Sequence, residues 1–283
     1  MKNKIRKIEM SLRYEKGLKL CKHWGNDFAV IKSYLTDILA DNLLGLSKYL
    51  NRQKKLNICD IGAGEGTISK HLLSTLLPLV KTACVDFIEP DPNAMNKLSK
   101  RCKKLNTDQK LTLNYYQIAA EDFFKQQIPQ NRYDFVFASH SFYFIDMELL
   151  TQILQSIKPQ GFLCVILGAE SSWMSFFKDL FAKASSAHGG TFIKSFKNCT
   201  VSRKWRINHQ MIPTYLDLCR MCWSSPSRID ETSKNMMSLI LQKNFDELTL
   251  AQKKEAYRHM SSHLDEQHML LDGDYFLMRK IYD

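Results

Sequence analysis

No run of apolar residues in this 283-residue chain approaches the roughly 20 that a membrane-spanning helix needs. The basic start, Met1-Lys-Asn-Lys-Ile-Arg-Lys7, leads into no apolar leader core, so a secretory signal is not expected. Cysteine is present without a framework. The eight residues, at 21, 59, 84, 102, 164, 199, 219 and 222, are scattered, and three lie inside apolar strand-like runs. That distribution fits reduced thiols in a cytoplasmic protein. Cys219-Arg-Met-Cys222 has C-x-x-C spacing, but zinc needs a second ligand pair. His209 is the one nearby candidate, so no metal is expected. G-x-S-x-G and the phosphate-loop lysine motif are both missing, which excludes the hydrolases and nucleotide triphosphatases built on them.

Acid is in shorter supply than base. There are 29 acidic and 40 basic side chains, for a net charge of +11, unevenly spread. Residues 1–22 carry eight basic against two acidic groups, Lys97 to Lys110 six against one, and Lys194 to Arg206 five against none. Such clusters suit nucleic acid or an acidic surface. More often they are solvated helix faces, and no nucleic-acid-binding module accompanies them.

The informative stretch is Leu56-Asn-Ile-Cys-Asp-Ile-Gly-Ala-Gly-Glu-Gly-Thr67. It begins as a buried-type strand, breaks at Gly62, Gly64 and Gly66, and gives way to helix-compatible sequence from Thr67 to about Leu77. A strand feeding a helix through glycines cradles a nucleotide, because the backbone can approach a ligand more closely than any Cβ permits. A dinucleotide fingerprint wants glycines at the first, third and sixth positions. Here the sixth is Thr67 and the fifth is Gly66. The next apolar run, Ala83 to Ile88, delivers Glu89, placed to accept both hydroxyls of a ribose.

Ile61-Gly-Ala-Gly-Glu-Gly66 followed by Phe87-Ile-Glu-Pro-Asp91 resembles the class I S-adenosylmethionine-dependent methyltransferases. The resemblance implies S-adenosyl-L-methionine as cofactor and S-adenosyl-L-homocysteine as product. It implies that Asp60, Gly62, Gly64 and Gly66 meet the methionine end and that Glu89 with Pro90 meets the ribose. Ala120, Glu121 and Asp122, after the third strand, would meet the adenine. Asp134 in Tyr133-Asp-Phe resembles the family's fourth motif, and Lys158-Pro-Gln-Gly161 between a helix and a strand is a further likeness.

The rest of the chain agrees. Residues 1–50 read as a helical cap, with Phe28, Ile31, Leu35, Ile38 and Leu39 at helical spacing. Strands are expected at about Asn57–Ile61, Thr82–Ile88, Leu111–Gln117, Tyr133–Ser139 and Phe162–Leu167, with helices between them. Asn198–Met211 and Tyr275–Ile281 would add a sixth and a seventh strand, separated by helical patterns at Ser233–Gln242 and Thr249–His263. The expected fold is α/β, a Rossmann-like seven-stranded sheet, mostly parallel with the last strand antiparallel. It would form one domain: cap 1–50, cofactor core 55–168, and a C-terminal part 169–283 whose helical insertion, about 213–270, covers the substrate. Gly62, Glu89, Ala120, Ser139 and Gly168 all fall at carboxyl ends of strands, where parallel sheets bind ligands.

Ser139 and His140 stand at the expected reacting centre, with His140 and Tyr143 as candidate catalytic residues. Trp24, Asp27, Tyr143, Phe144 and Trp173 are candidates for the acceptor pocket. Glu89-Pro90, Tyr133-Asp-Phe, Tyr143-Phe144 and Glu170-Ser-Ser-Trp173 together resemble the histamine N-methyltransferase group. In that group a Gln occupies the position of His140, a second Tyr that of Phe144, and a helical acid near Asp27 meets the amine. Those departures weigh against histamine itself, and the expected acceptor is a small molecule, an amine nitrogen first, whose identity the sequence leaves open. No Asn-Pro-Pro-Tyr motif follows the fourth strand, which argues against methylation of adenine or glutamine amides. Two alternatives stay open: an RNA methyltransferase or RNA-binding protein using the basic termini, and a cofactor-binding regulator without catalysis.

Overall fold

The computed structural model describes residues 16–17, 19–20, 23–105, 111–125, 130–142, 145–169, 189–199, 204–217, 220–241, 244–264 and 269–281. The chain clusters into two compact units. One comprises residues 28–170, 185–212 and 273–283; the other gathers 1–27, 171–184 and 213–272.

The larger unit is built on α1 (Asp27–Ala40), α2 (Leu46–Leu50), β1 (Lys55–Ile61), α3 (Thr67–Leu76), β2 (Thr82–Ile88), α4 (Pro92–Lys103), β3 (Leu111–Tyr116), α5 (Ala120–Lys125), β4 (Tyr133–Ser139), α6 (Leu150–Ser156), β5 (Ile157–Gly168) and α7 (Gly189–Asn198). The described chain continues through β6 (Trp205–Leu216), β7 (Trp223–Ser225), β8 (Arg228–Ile229), α8 (Glu231–Ile240), α9 (Leu250–Leu264) and β9 (Met269–Lys280). No helix among the described residues is long and apolar enough to cross a membrane.

Seven strands form one sheet in the order β3-β2-β1-β4-β5-β9-β6. The pairings β1–β2, β2–β3, β1–β4 and β4–β5 are parallel, and β5–β9 is antiparallel. The central strands read as near-continuous apolar runs because both faces are covered. Ile58, Val85, Phe87, Phe135, Phe137, Cys164 and Ile166 pack on one face with α1, α3 and α4. Cys59, Ile61, Ile88, Val136, Ala138, Val165 and Leu167 pack on the other with α5, α6 and α7. In α3, Ile68, Leu72, Leu73 and Leu76 are buried at helical spacing. The carboxylate of Asp91 caps α4 by accepting from Asn93 N–H at 2.8 Å, with Pro92 in the first turn. Because β1 lies between β2 and β4, the strand order reverses there, which opens a crevice beyond their carboxyl ends.

Three strand starts differ from the sequence expectation by several residues, and one of them is β9, which begins at Met269 and not at Tyr275. β5 starts at Ile157, before Lys158-Pro-Gln-Gly161, not at Phe162. Pairing with β4 jumps from Tyr133–Ile157 to Phe135–Phe162, so residues 158–161 bulge out opposite Asp134. A Cβ on Gly161 would come within 3.0 Å of Asp134 O and 2.8 Å of Ile157 Cγ2. The bulge carries Lys158 to Asp134, whose buried carboxylate accepts from Lys158 Nζ, Tyr49 OH and Asn57 N–H, each at 2.8 Å. β6 begins at Trp205, not near Asn198, because α7 occupies Gly189–Asn198 and buries Phe192 and Phe196 one turn apart.

The smaller unit has a core of its own. Trp24 packs with Leu216, Met221, Trp223, Met236, Met237, Phe245 and Met260. Trp24 carbonyl accepts from Asp217 N–H at 2.7 Å, and a Cβ on Gly17 would meet Asn235 O at 2.3 Å. The stretch 213–272 thus clusters with the N-terminal segment.

Candidate cofactor and acceptor site

The turn after β1 is left-handed at three glycines, with φ of 68° at Gly62, 55° at Gly64 and 75° at Gly66. Their reasons differ. A Cβ on Gly62 would meet Ser141 Cβ at 2.4 Å, and one on Gly66 would meet Leu98 Cδ1 at 2.4 Å. Those two glycines let the loop after β4 and helix α4 close on the turn. Around Gly64 nothing lies within 4 Å, so its open side is free for a ligand.

Glu89, at the end of β2, is buried and faces this turn. Its Oε2 accepts from Gly64 N–H at 2.8 Å and its Oε1 from Asp91 N–H at 2.9 Å. Burial raises its proton affinity above the usual range, opposed by those two backbone donors and reinforced by the Asp91 charge. A carboxylate has about four lone-pair positions, so two donors leave room for two hydroxyls. Asp60 is buried on β1 behind the turn, and its Oδ2 has no partner among the described residues. Burial pushes its pKa up to about 7; a hydrogen bond from Ser69 opposes this and the Glu89 charge adds to it. Two buried carboxylates that meet no cation among the described residues, beside an open glycine, fit a ligand with hydroxyl and cationic groups.

The turn is braced from behind. Arg101 Nη1 donates to Glu65 O and Thr67 Oγ1, each at 2.7 Å, and Lys97 Nζ meets Glu65 Oε1 at 2.8 Å. Sequence reading placed both cations in a basic run and missed this bracing, because nothing local links them to Glu65. It missed Ser141 for the same reason.

The other sequence candidates fall as follows. Pro90 is exposed between Glu89 and the helix-capping Asp91. Ala120 opens α5 and is buried; Glu121 Oε1 accepts from Asp146 N–H at 3.1 Å, and Asp122 is exposed. Ser139 ends β4. His140 takes a left-handed φ of 53° and donates its backbone N–H to Ile166 O at 2.8 Å, which turns the chain so that Ser141 reaches Gly62. Asp27 is the first residue of α1. Trp24 lies in the core of the smaller unit. Tyr143, Phe144 and Trp173 lie outside the described residues. Cys219 does too, while Cys222 is an exposed free thiol and His209 is bonded to Asp274 instead.

Residues 59–163 match the family model of the methyltransferase domain. No curated protein matches the chain by sequence. Among solved structures, the plantazolicin methyltransferase BpumL in complex with S-adenosylhomocysteine is similar at 16% identity and a TM-score of 0.52, over 95% of this chain and 90% of that one. The YcgJ protein from Bacillus subtilis is similar at 11% identity and a TM-score of 0.51, over 86% of this chain and 100% of that one. The matched stretch contains the glycine turn, Glu89, β4 and the carboxyl-end crevice. Residues 59–163 thus match a methyltransferase domain, and that match together with the fold supports a methyltransferase enzyme with S-adenosyl-L-methionine as its cofactor.

Proposed function

We propose that the enzyme methylates a small molecule, with an amine nitrogen as the favoured acceptor, at the carboxyl end of the sheet beside Ser139 and His140. When bound, S-adenosylmethionine supplies a methyl carbon made electrophilic by its sulfonium. In this reading the open face of Gly64 and the carboxylate of Asp60 hold its amino-acid end. Glu89, fixed by Gly64 N–H and Asp91 N–H, accepts the ribose hydroxyls. Residues 120–122 flank the adenine. The protein's main contribution is alignment, which for well-oriented partners reaches effective molarities of about 10⁵–10⁸ M. An amine attacks in its neutral form, and His140 stands at the strand end where its proton would be taken.

One observation carries the preference for a small acceptor over RNA. Lys97 and Arg101, the part of the basic run nearest the site, are bonded to Glu65 and Thr67 of the glycine turn and so serve to brace it. The free thiols at 59, 84, 102, 164, 199 and 222 support a cytoplasmic setting. The test is transfer of labelled methyl from S-adenosylmethionine to a panel of primary and secondary amines, run beside a salt titration of RNA binding. Turnover of an amine with weak RNA affinity is expected. Tight RNA binding that falls steeply with salt, and no turnover of any amine, would overturn the reading.

A further inference from the structure

His209 belongs to a second polar group at the same edge of the sheet. Its Nε2 lies 2.8 Å from Oδ1 of Asp274, which is buried on β9. Asp274 pairs with Leu167 of β5, one step beyond the row Ser139–Ile166–Tyr275 that also anchors His140. Two strand spacings separate β4 from β9, so Asp274 stands about 10 Å from the loop after β4. The imidazole of His209 lies flat on Phe276, with centroids 4.5 Å apart and planes at 16°. Phe276 touches Phe192 at 5.3 Å and Phe192 touches Phe142 at 5.2 Å. A buried aromatic floor thus runs from the loop after β4 to His209.

The surroundings are apolar and open. Ile207 and Met211 are two residues to either side of His209 on β6 and share its face. They are 36% and 61% exposed, and the His209 side chain is 46% exposed. The carboxylate of Asp274 sets the tautomer with the proton on Nε2. In the neutral ring Nδ1 then carries a lone pair and has no bond among the described residues, and the half-exposed imidazole offers ring surface for stacking. An apolar platform with one hydrogen-bond acceptor selects a flat ring carrying an O–H or N–H.

We propose that His209, held by Asp274 and flanked by Ile207 and Met211, is a subsite for a planar, ring-bearing part of the methyl acceptor that donates a hydrogen bond. This rests on the reading that the acceptor binds at the carboxyl edge of the sheet, and it defines the acceptor as an aromatic or heteroaromatic compound whose ring lies two to three strand spacings, about 10–14 Å, from the β4 end.

The test uses the full chain saturated with S-adenosylhomocysteine, with indole and phenol as probes and benzene as the control lacking a donor. The His209 ring resonance, assigned by its loss in His209→Ala, is followed by NMR. Indole and phenol are expected to shift it, and to bind about tenfold more tightly than benzene. His209→Ala should weaken indole by about tenfold, and Asp274→Asn by a smaller factor, with S-adenosylhomocysteine affinity unchanged in both. A His209 resonance unmoved by every probe, or probe affinities equal in wild type and His209→Ala, overturns the subsite while leaving the cofactor reading intact. Failure of S-adenosylhomocysteine to bind wild type overturns the cofactor reading, and the acceptor subsite with it.

Discussion

Two pairs of buried carboxylates in one sheet are treated in opposite ways. Asp86, within β2, and Asp134, at the start of β4, are each met by three donors that include a cation. Asp86 accepts from Asn114 Nδ2 at 2.7 Å, Tyr133 OH at 2.7 Å and Arg132 Nη2 at 2.5 Å. Asp134 accepts from Lys158, Tyr49 and Asn57. Asp60 and Glu89, at the carboxyl ends of β1 and β2, meet no cation among the described residues; burial raises both, and one oxygen of Asp60 has no partner among those residues. Removing charge from water costs several kcal/mol unless it is paired and bonded. The first pair is neutralised within the protein, which is the arrangement of a structural joint. The second pair leaves that end of the sheet short of positive charge, which suits the sulfonium-bearing amino acid proposed to bind there.

Substitutions can break or sharpen that contrast. The largest effect is expected at a structural carboxylate. Asp134→Ala leaves the Tyr49 hydroxyl and the Asn57 N–H unsatisfied and Lys158 unpaired, and should lower stability by about 3–5 kcal/mol in a denaturant titration. A loss below 1 kcal/mol would mean that the three-donor joint is dispensable.

Glu89→Ala should act on binding instead. S-adenosylhomocysteine affinity, measured by calorimetry, is expected to fall by at least about 100-fold, with a smaller loss of stability than at Asp134 because no cation is left unpaired among the described residues. Near-normal affinity refutes the ribose role.

Two glycines in one turn separate fold from ligand. Gly66→Ala meets both a left-handed φ and Leu98, and should lose about 2 kcal/mol of stability. Gly64→Ala meets only the backbone cost, about 1 kcal/mol, yet should weaken cofactor binding by about tenfold. Equal effects of the two on stability and on affinity would erase the distinction.

The smallest effect is one of pH. Asp60 holds its proton to about pH 7 in the folded chain and releases it near 3.8 when unfolded. Between those values the unfolded state binds fewer protons, so this group makes stability fall as pH rises. Asp60→Asn should therefore narrow the difference in unfolding free energy between mildly acid and mildly alkaline solution by about 1 kcal/mol. A slope unchanged in the variant assigns the pH dependence elsewhere.

The site's central features were legible because they are local. A strand broken by three glycines and a carboxylate one strand later are spaced by the β-α-β repeat itself, and Gly62, Gly64 and Glu89 stand together in the structure as that spacing requires. The functional weight of each glycine was not legible, since it depends on Ser141 and Leu98, which lie 79 and 32 residues away (141 less 62 and 98 less 66). Lys158-Pro-Gln-Gly161 reads as a break from composition, yet its bulge keeps Ile157 in the sheet and delivers Lys158 to Asp134. Trp205 to Leu216 lies on an edge strand with little periodicity, which let its start slip by seven residues, from 198 to 205. His209 was read beside a C-x-x-C pair close in sequence, whereas its partner Asp274 is 65 residues on. Pairings at that separation leave no trace in a local pattern.

The smaller unit joins pieces made far apart in time. Asn26 Oδ1 accepts from Tyr215 N–H across 189 positions of sequence, and Arg220 reaches the His23 carbonyl across 197. At about 5–20 residues per second on the ribosome, the early strip waits some 10–40 s for its complement. During that interval Trp24 lacks Leu216, Met221, Trp223, Met236 and Phe245, so the nascent strip is open to chaperones and proteases until they are made.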